Sequence, residues 1–90
     1  MVKRYKTKPC EIEAIQFTRD NFEEVKSFGE GSVYNLTIER SPNGKAYCIV
    51  KTLEGIMIAT EKDYIIRGLR GEYYPCKPDV FNKKYKEILE

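Results

Sequence analysis

Along much of the chain, apolar and polar residues alternate with a period of two, which is typical of strands that bury one face. The alternation is clearest in residues 33–38 and 45–52. Residues 11–17 are apolar on both faces, so this segment predicts a strand that is central in its sheet or covered by a helix. Altogether the pattern predicts five to six short strands, in the segments 11–17, 33–38, 45–52, 56–59, 64–67 and 72–74.

A helical period interrupts the strands after the first segment. Three apolar residues form one stripe at positions i, i+3 and i+6: Phe22, Val25 and Phe28. Four polar residues fit a capping box at the start of this helix, Asp20 or Asn21 followed by Glu23 or Glu24. Gly29 is expected to end the helix in a left-handed conformation. About two turns are too few for a stable isolated helix, so we expect it to pack on the sheet.

Turn residues separate the strands. Asn43-Gly44, between two alternating segments, is the strongest short-range signal for a hairpin because both residues tolerate a positive φ. Leu53-Glu54-Gly55 reverses the chain again, and Gly68 and Gly71 bound a loop before the last strand. Pro75 is expected to end that strand because proline has no N–H to donate to a ladder.

Two structures are compatible with the C-terminal residues. Pro78 suits the first turn of a helix, and Asp79 suits its positive end. Three apolar residues then recur at i, i+4 and i+7, which favours one continuous helix: Phe81, Tyr85 and Ile88. A single helical turn followed by an edge strand over 85–88 fits the same residues, and the sequence does not decide between the two.

The predicted order is one strand, one helix, five strands and a final helix. Consecutive strands joined by short turns form an antiparallel meander. We therefore predict an α+β fold: a curved antiparallel β-meander of five to six short strands, in the form of a small barrel or roll, with one covering helix and a short C-terminal helix. The length suits one domain, 1–90, with a basic lead-in at 1–9.

Composition excludes several classes of protein. With 41% hydrophobic and 33% charged residues, the chain is too apolar for a disordered protein and too polar for a membrane protein. Its apolar runs are far shorter than the roughly 20 residues that cross a bilayer. No apolar stretch follows the basic N-terminus, so we expect no signal peptide and a location in the cytoplasm of the host cell.

The chain contains no histidine, which removes catalytic triads with an imidazole base and the commonest ligand of transition metals. The three cysteines, Cys10, Cys48 and Cys76, form no CxxC pair. In a cytosolic protein we expect three free thiols, at least one of them buried. No enzymatic activity, cofactor or metal site is therefore expected.

Charge offers only weak evidence about partners. The net charge of +2 is too small to indicate a nucleic acid by itself. Basic residues nevertheless cluster at the two ends of the chain: Lys3, Arg4, Lys6 and Lys8, then Lys77, Lys83, Lys84 and Lys86. The clusters form a basic patch if the two ends meet, and a solvated charged surface is the more ordinary interpretation.

The segments 63–68 and 71–79, with Phe81 and Tyr85, carry a recognisable pattern. They resemble a signature of the form GDYIIxGxxGEFYPCKPDIFxxxY, which occurs in a family of small phage and prophage proteins. Residues 8–17 are similar to the KPVVIEAIQW-like opening of the same family. The resemblance implies a phage or prophage origin and a shared fold, and it implies no activity.

The chain departs from that family at three places. Members often have Pro-Gly where this chain has Glu61-Lys62, tryptophan where it has Phe17, and an apolar residue where it has Cys10. These differences concern the rigidity of a turn and the packing of the core.

Cys76 and Asp63 are the residues of the C-terminal segment that could carry chemistry. Cys76 precedes a predicted helix beside Lys77, a position that lowers the pKa of a thiol. A cysteine buried under the last helix is the more ordinary interpretation, since no histidine is present to activate the thiol. Asp63 is interpreted first as a turn side chain that accepts hydrogen bonds from nearby backbone amides, and second as a ligand acceptor.

Five residues are the candidate binding residues: Arg67, Arg70, Tyr73, Tyr74 and Lys77. Tyr73 and Tyr74 must point to opposite faces of a strand, so one of them faces outward or into a pocket. An exposed tyrosine beside arginines is a typical interface anchor, and it can also stack on nucleobases. The structural alternative is that both tyrosines complete a small core with their hydroxyls at its rim.

We therefore expect a non-enzymatic phage or prophage accessory protein that binds a host or phage protein or a small molecule. The alternative is a nucleic-acid-binding protein that uses the basic termini and the tyrosines, with an affinity that falls steeply with salt. A thiol enzyme that uses Cys76 is the third hypothesis. Exposed edge strands would also allow a homodimer.

Overall fold

The computed structural model describes residues 12–40 and 44–85. They form six strands and two helices in the order β-α-β-β-β-β-β-α. The elements are β1 (Glu13–Gln16), α1 (Phe22–Phe28), β2 (Val33–Ile38), β3 (Ala46–Thr52), β4 (Gly55–Thr60), β5 (Tyr64–Arg67), β6 (Tyr73–Cys76) and α2 (Pro78–Lys84). The predicted element order and the α+β class are confirmed. The basic lead-in, Cys10, Asn43 and the possible edge strand at 86–88 lie outside the described residues.

The strands are divided between two antiparallel sheets. One sheet has the order β2-β3-β4 and the other β1-β5-β6. The sheets are not closed into a barrel, and the meander is interrupted between β4 and β5. β5 is the central strand of its sheet, with β1 on one side and β6 on the other, so β4 does not pair with it. Phe17, which follows β1, extends the β1–β5 pairing into the turn at 60–63 through both of its backbone groups. Phe17 N–H donates to the Asp63 carbonyl at 2.8 Å, and Lys62 N–H donates to the Phe17 carbonyl at 2.6 Å.

The prediction placed the first strand at the centre of its sheet or under a helix, and the first of these alternatives was wrong. β1 is an edge strand that pairs only with β5, from Glu13 opposite Arg67 to Gln16 opposite Tyr64. Glu13 and Ala14 are exposed. The pattern has two apolar faces because Ala14 counts as an apolar position of the second face, whereas the completely buried residue is Phe17, just after the strand.

The core lies between the two sheets and under α1. Its buried members come from α1, from each of the strands β2 to β6 and from the residue after β1: Phe17, Val25, Val33, Ala46, Cys48, Val50, Ala59, Ile65 and Tyr73. On β3 the buried residues Ala46, Cys48 and Val50 alternate with more exposed neighbours, as the period of two predicts. The apolar stripe of α1 contributes Val25 to this core, with Phe22 and Phe28 packed at its margin.

The ends of α1 differ from the prediction in two respects. Asn21 is the N-cap, but no side chain caps the helix; the Asn21 amide instead accepts from Thr18 N–H at 2.8 Å and donates to the Gln16 carbonyl at 2.7 Å. Gly29 is right-handed, with φ −74°. The left-handed residues follow it, at Glu30 with φ 47° and Gly31 with φ 94°.

Packing, and not a positive φ, accounts for the glycine at position 29. A Cβ atom placed there would lie 2.5 Å from Cγ2 of Val33, the buried first residue of β2. The chain therefore needs a residue without a side chain where α1 passes closest to β2.

Pro75 lies inside β6 and does not end it. It is paired with Ile65 of β5, and the strand continues to Cys76. β6 is an edge strand of its sheet, so one side of its backbone has no neighbouring strand and a missing donor is tolerated there. At the C-terminus α2 ends at Lys84 and Tyr85 is extended, so one continuous helix through Tyr85 is not formed. Residues 86–88, on which the edge-strand alternative depends, lie outside the described residues.

Candidate functional site

The five candidate binding residues lie on different surfaces of one sheet. Arg67 ends β5, Arg70 lies in the loop before β6, and Tyr73 and Tyr74 begin β6. Lys77 follows β6 and is the N-cap of α2. Because neighbouring residues of a strand point to opposite faces, the segment divides between the core face and the outer face of β1-β5-β6.

Tyr73 is a core residue with a bonded hydroxyl at the rim. It is 5% exposed, and its hydroxyl donates to the Phe28 carbonyl at 2.8 Å. Its ring meets the Phe28 ring edge-on, with 5.7 Å between centroids. Burial raises the pKa of the phenol, so the hydroxyl stays protonated and remains a donor. This bond ties β6 to the C-terminal end of α1.

Tyr74 lies on the outer face together with the aromatic rings of α2. Its hydroxyl is 3.5 Å from the hydroxyl of Tyr85. Burial is the main cause that raises the pKa of the Tyr74 phenol, and the contact with Tyr85 is the second. Phe81 of α2 stacks on Tyr64 of β5, with 3.8 Å between centroids and 5° between ring planes. α2 is therefore fixed to the sheet by aromatic packing, in which Tyr74 takes part. The prediction that Tyr73 and Tyr74 point to opposite faces is confirmed.

The two arginines differ in their surroundings. Arg67 is placed opposite Tyr73, and its guanidinium lies 3.8 Å from the Glu13 carboxylate on β1. Exposed pairs of this kind contribute little to stability. Arg70 is exposed, and its backbone N–H donates to the Glu72 carboxylate at 3.0 Å, while its guanidinium bonds none of the residues that the structure describes.

Lys77 belongs to a different cluster, centred on the buried carboxylate of Asp63. This carboxylate accepts from Thr60 N–H at 2.9 Å, from the Thr60 hydroxyl at 3.1 Å and from Lys77 Nζ at 3.1 Å. Asp63 is 3% exposed. The interpretation of Asp63 as a turn side chain that binds a backbone amide is confirmed, and Lys77 gives the buried charge its partner.

An open depression of about 310 Å³ lies where the β3–β4 turn approaches the loop before β6. Eight residues line it: Ser32, Lys51, Thr52, Leu53, Arg70, Gly71, Glu72 and Tyr73. It brings together two of the predicted binding residues, Arg70 and Tyr73, and leaves Tyr74 and Lys77 elsewhere. Among the described residues, neither the Lys51 ammonium nor the Arg70 guanidinium is paired with a carboxylate.

Sequence reasoning missed Lys51 and Leu53 as residues of this depression. The pattern predicts Lys51 as a polar position of an alternating strand and Leu53 as part of a turn, and both predictions are correct. Their proximity to Arg70 depends on how the two sheets pack, and no local pattern encodes that distance. The sequence signal for this surface was Leu53, a large apolar residue in a predicted turn, and its side chain is exposed in the structure.

Cys76 lacks the features of an activated thiol. It is partly exposed rather than buried under α2, and desolvation raises its pKa despite the opposing charge of Lys84. Cys76 lies just before the seven-residue helix α2, and this position does not lower the pKa of its thiol. Cys48 is completely buried in the core, and burial, with a smaller contribution from Asp63, raises the pKa of its thiol to about 11.

The Cys48 thiol should make stability fall in alkaline solution. The raised pKa means that the folded protein keeps the neutral thiol, while the unfolded chain ionises near 9.0. The contribution is therefore complete below pH 9 and is lost as the pH rises towards 11. Denaturant titrations of the wild type and of Cys48→Ala measure it: the variant should show the shallower decline, whereas Cys76→Ala should follow the wild type more closely. A wild-type decline identical to that of Cys48→Ala would contradict the assignment.

Within the described ranges no helix is long and apolar enough to span a membrane. The same residues contain no cluster of three or more metal-ligating side chains. Comparisons with protein-family models, with curated proteins and with solved structures found no match for this chain.

Proposed function

We propose that this chain is a non-enzymatic accessory protein of phage or prophage origin that binds an anionic group of a protein or small-molecule partner in the depression beside Arg70. One observation carries the proposal: Lys51 and Arg70, which form no ion pair within residues 12–40 and 44–85, line the same open depression. Phage origin rests only on the resemblance of residues 8–17 and of the C-terminal segment to the phage family.

The chemistry of the lining favours a carboxylate or phosphate over a neutral ligand. Arg70 offers a planar set of N–H donors and Lys51 a point charge, and both are suited to anionic oxygens. Glu72 is the one acidic residue of the lining, and its carboxylate is already held by the Arg70 amide. The exposed Leu53 side chain provides apolar contact next to the charges.

The two tyrosines support this proposal less directly than the sequence suggests. Tyr73 forms the floor of the depression, with its hydroxyl bonded to α1, so it would position the loop and not stack on a ligand. Tyr74 and Lys77 are engaged with α2 and Asp63, respectively. A row of exposed rings for stacking nucleobases is therefore not formed by these residues, which favours a protein or small-molecule partner over a nucleic acid.

Binding can be tested by NMR titration of the labelled protein. The probes are a dicarboxylate series, a glutamate-rich peptide, a nucleoside monophosphate and a single-stranded oligonucleotide. The proposal expects shifts in the amides of the loop 68–72 and of Lys51, and about a tenfold loss of affinity in Lys51→Ala and in Arg70→Ala. Lys45→Ala, which removes an exposed lysine outside the depression, is the matched control and should bind as the wild type does.

The arms of this experiment distinguish the possible partners. Preference for the peptide indicates a protein partner, and preference for the free acid or nucleotide indicates a small molecule. Tight binding of the oligonucleotide that falls steeply with salt would favour the nucleic-acid alternative. Absence of binding to every probe, or equal loss of binding in Lys45→Ala, would overturn the proposal.

A further inference from the structure

The strand β4 presents an unusual edge. It is the last strand of the sheet β2-β3-β4, and its sequence from Gly55 to Thr60 contains no charged residue and no proline. Natural edge strands usually carry such residues because they prevent association with another strand. Ile56 and Ile58 are 66% and 60% exposed, and Met57 between them is 46% exposed.

The hydrogen-bond phase of β4 determines which backbone groups face the open edge. Glu61 N–H donates to the Ala46 carbonyl, and the next bonded pairs of β3 and β4 along the register are Cys48 with Ala59 and Val50 with Met57. In an antiparallel ladder every second residue bonds the neighbouring strand, so Met57 and Ala59 bond β3. The N–H and C=O groups of Ile56, Ile58 and Thr60 therefore point away from the sheet.

Thr60 is removed from this set by its own turn. Its N–H donates to the Asp63 carboxylate at 2.9 Å, and its carbonyl accepts from Asp63 N–H at 3.0 Å. Four edge groups are left, two on Ile56 and two on Ile58, and no described residue bonds them. The occupant of this edge must offer two donors and two acceptors with the same spacing.

We infer that the occupant is a second copy of this chain, paired antiparallel through β4 about a two-fold axis at Met57. In that register Ile56 of each copy lies opposite Ile58 of the other copy. The N–H and C=O groups of both residues, four in each copy, are then all hydrogen-bonded. A register centred on Ile58 would instead place Ile56 opposite Thr60, whose backbone groups are already used. A register centred on Ile56 would place Ile58 opposite Glu54, whose N–H already donates to the Thr52 hydroxyl. The register centred on Met57 is therefore the one that bonds all four edge groups.

Side chains support the same register. Ile58 is flanked on β3 by Ile49, so the outer face of the joined sheet would carry a continuous row of isoleucines from both copies. Glu54 lies in the turn just before β4 and Lys62 in the turn just after it, so antiparallel pairing brings the acidic end of one strand towards the basic end of the other. Glu54 and Lys62 are both exposed, and neither forms an ion pair within the described part of the chain. These opposite charges recur at both ends because the pairing is two-fold.

Charge substitutions test the register directly by sedimentation at increasing protein concentration. The variant Ile56→Lys with Ile58→Lys places lysines opposite each other twice and should raise the dimer dissociation constant at least about a hundredfold. The variant Ile56→Glu with Ile58→Lys places opposite charges in contact twice and should restore the dimer. Val80→Lys, at an exposed apolar residue on α2, should leave it unchanged.

Amide hydrogen exchange on the wild type provides a measurement without substitutions, and it decides the question if a lysine variant does not fold. Ile56 and Ile58 should gain protection as concentration rises, while Met57, which bonds β3, should be protected throughout. A wild type that stays monomeric, or a dimer without added protection at Ile56 and Ile58, would overturn the inference. Dissociation by the lysine pair without rescue by the glutamate-lysine pair would overturn the register. These outcomes are independent of ligand binding at Arg70.

Discussion

Replacement of Phe17 by alanine should lower the free energy of unfolding by about 3–5 kcal/mol, the largest loss expected for a single substitution in this chain. Phe17 is the largest of the completely buried side chains. Without the ring, the folded state loses the favourable free energy of transferring those atoms out of water, and a cavity is left between the sheets. A 90-residue domain has only about 5–15 kcal/mol of stability, so the variant should be close to unfolding at room temperature. Urea denaturation followed by circular dichroism measures the change.

Phe22→Ala is the matched control for this prediction. Phe22 is the same residue type at the margin of the core and is only partly buried, so its loss should be clearly smaller. Phe17→Leu should fall between the two because it keeps most of the buried volume. A cost of Phe17→Ala no greater than that of Phe22→Ala would show that Phe17 does not hold the two sheets together.

Local patterns were sufficient to predict most of the elements. The period of two in residues 33–38 and 45–52 corresponds to β2 and β3, and the stripe from Phe22 to Phe28 corresponds to α1. Both patterns depend only on which side of an element meets the core, and that requirement is the same in any fold. For the same reason the opposite orientations of Tyr73 and Tyr74 could be predicted, but not which of the two is buried.

The division into two sheets could not be predicted, because it depends on contacts between distant residues. β1 pairs with β5 across about 50 residues of chain, and Arg19 binds Glu61 at 3.0 Å from the opposite side of the same turn. A meander through β4 and β5 satisfies the turn signals equally well. What excludes it is the bonding of Phe17 to residues 62 and 63, which directs the chain into the second sheet.

The candidate site was partly predictable for a related reason. Arg70 and Tyr73 are close in sequence, so one loop places both of them at the depression. Lys51 arrives from the other sheet, and no spacing or motif relates it to Arg70. Lys77 was grouped with the binding residues because it is near them in sequence, yet its ammonium bonds the carboxylate of Asp63.

Asp63→Ala should be the second most damaging substitution, with a loss of about 2–4 kcal/mol. The carboxylate accepts three hydrogen bonds at the turn that separates the two sheets, and alanine accepts none. The N–H of Thr60 would then lack its acceptor in a partly buried position. Denaturant titration measures the loss, and hydrogen exchange at the Thr60 amide should rise with it.

Two further variants separate the turn from the ion pair. Asp63→Asn keeps an acceptor for Thr60 N–H and loses only the charge, so it should cost less than Asp63→Ala. Lys77→Met should cost at most about 1 kcal/mol, because the Lys77 side chain is 60% exposed and its ammonium can return to water. The expected order is therefore Asp63→Ala, then Asp63→Asn, then Lys77→Met. If Lys77→Met were as damaging as Asp63→Ala, the ion pair and not the turn would hold the sheets in place, and the connection between β4 and β5 would depend on α2.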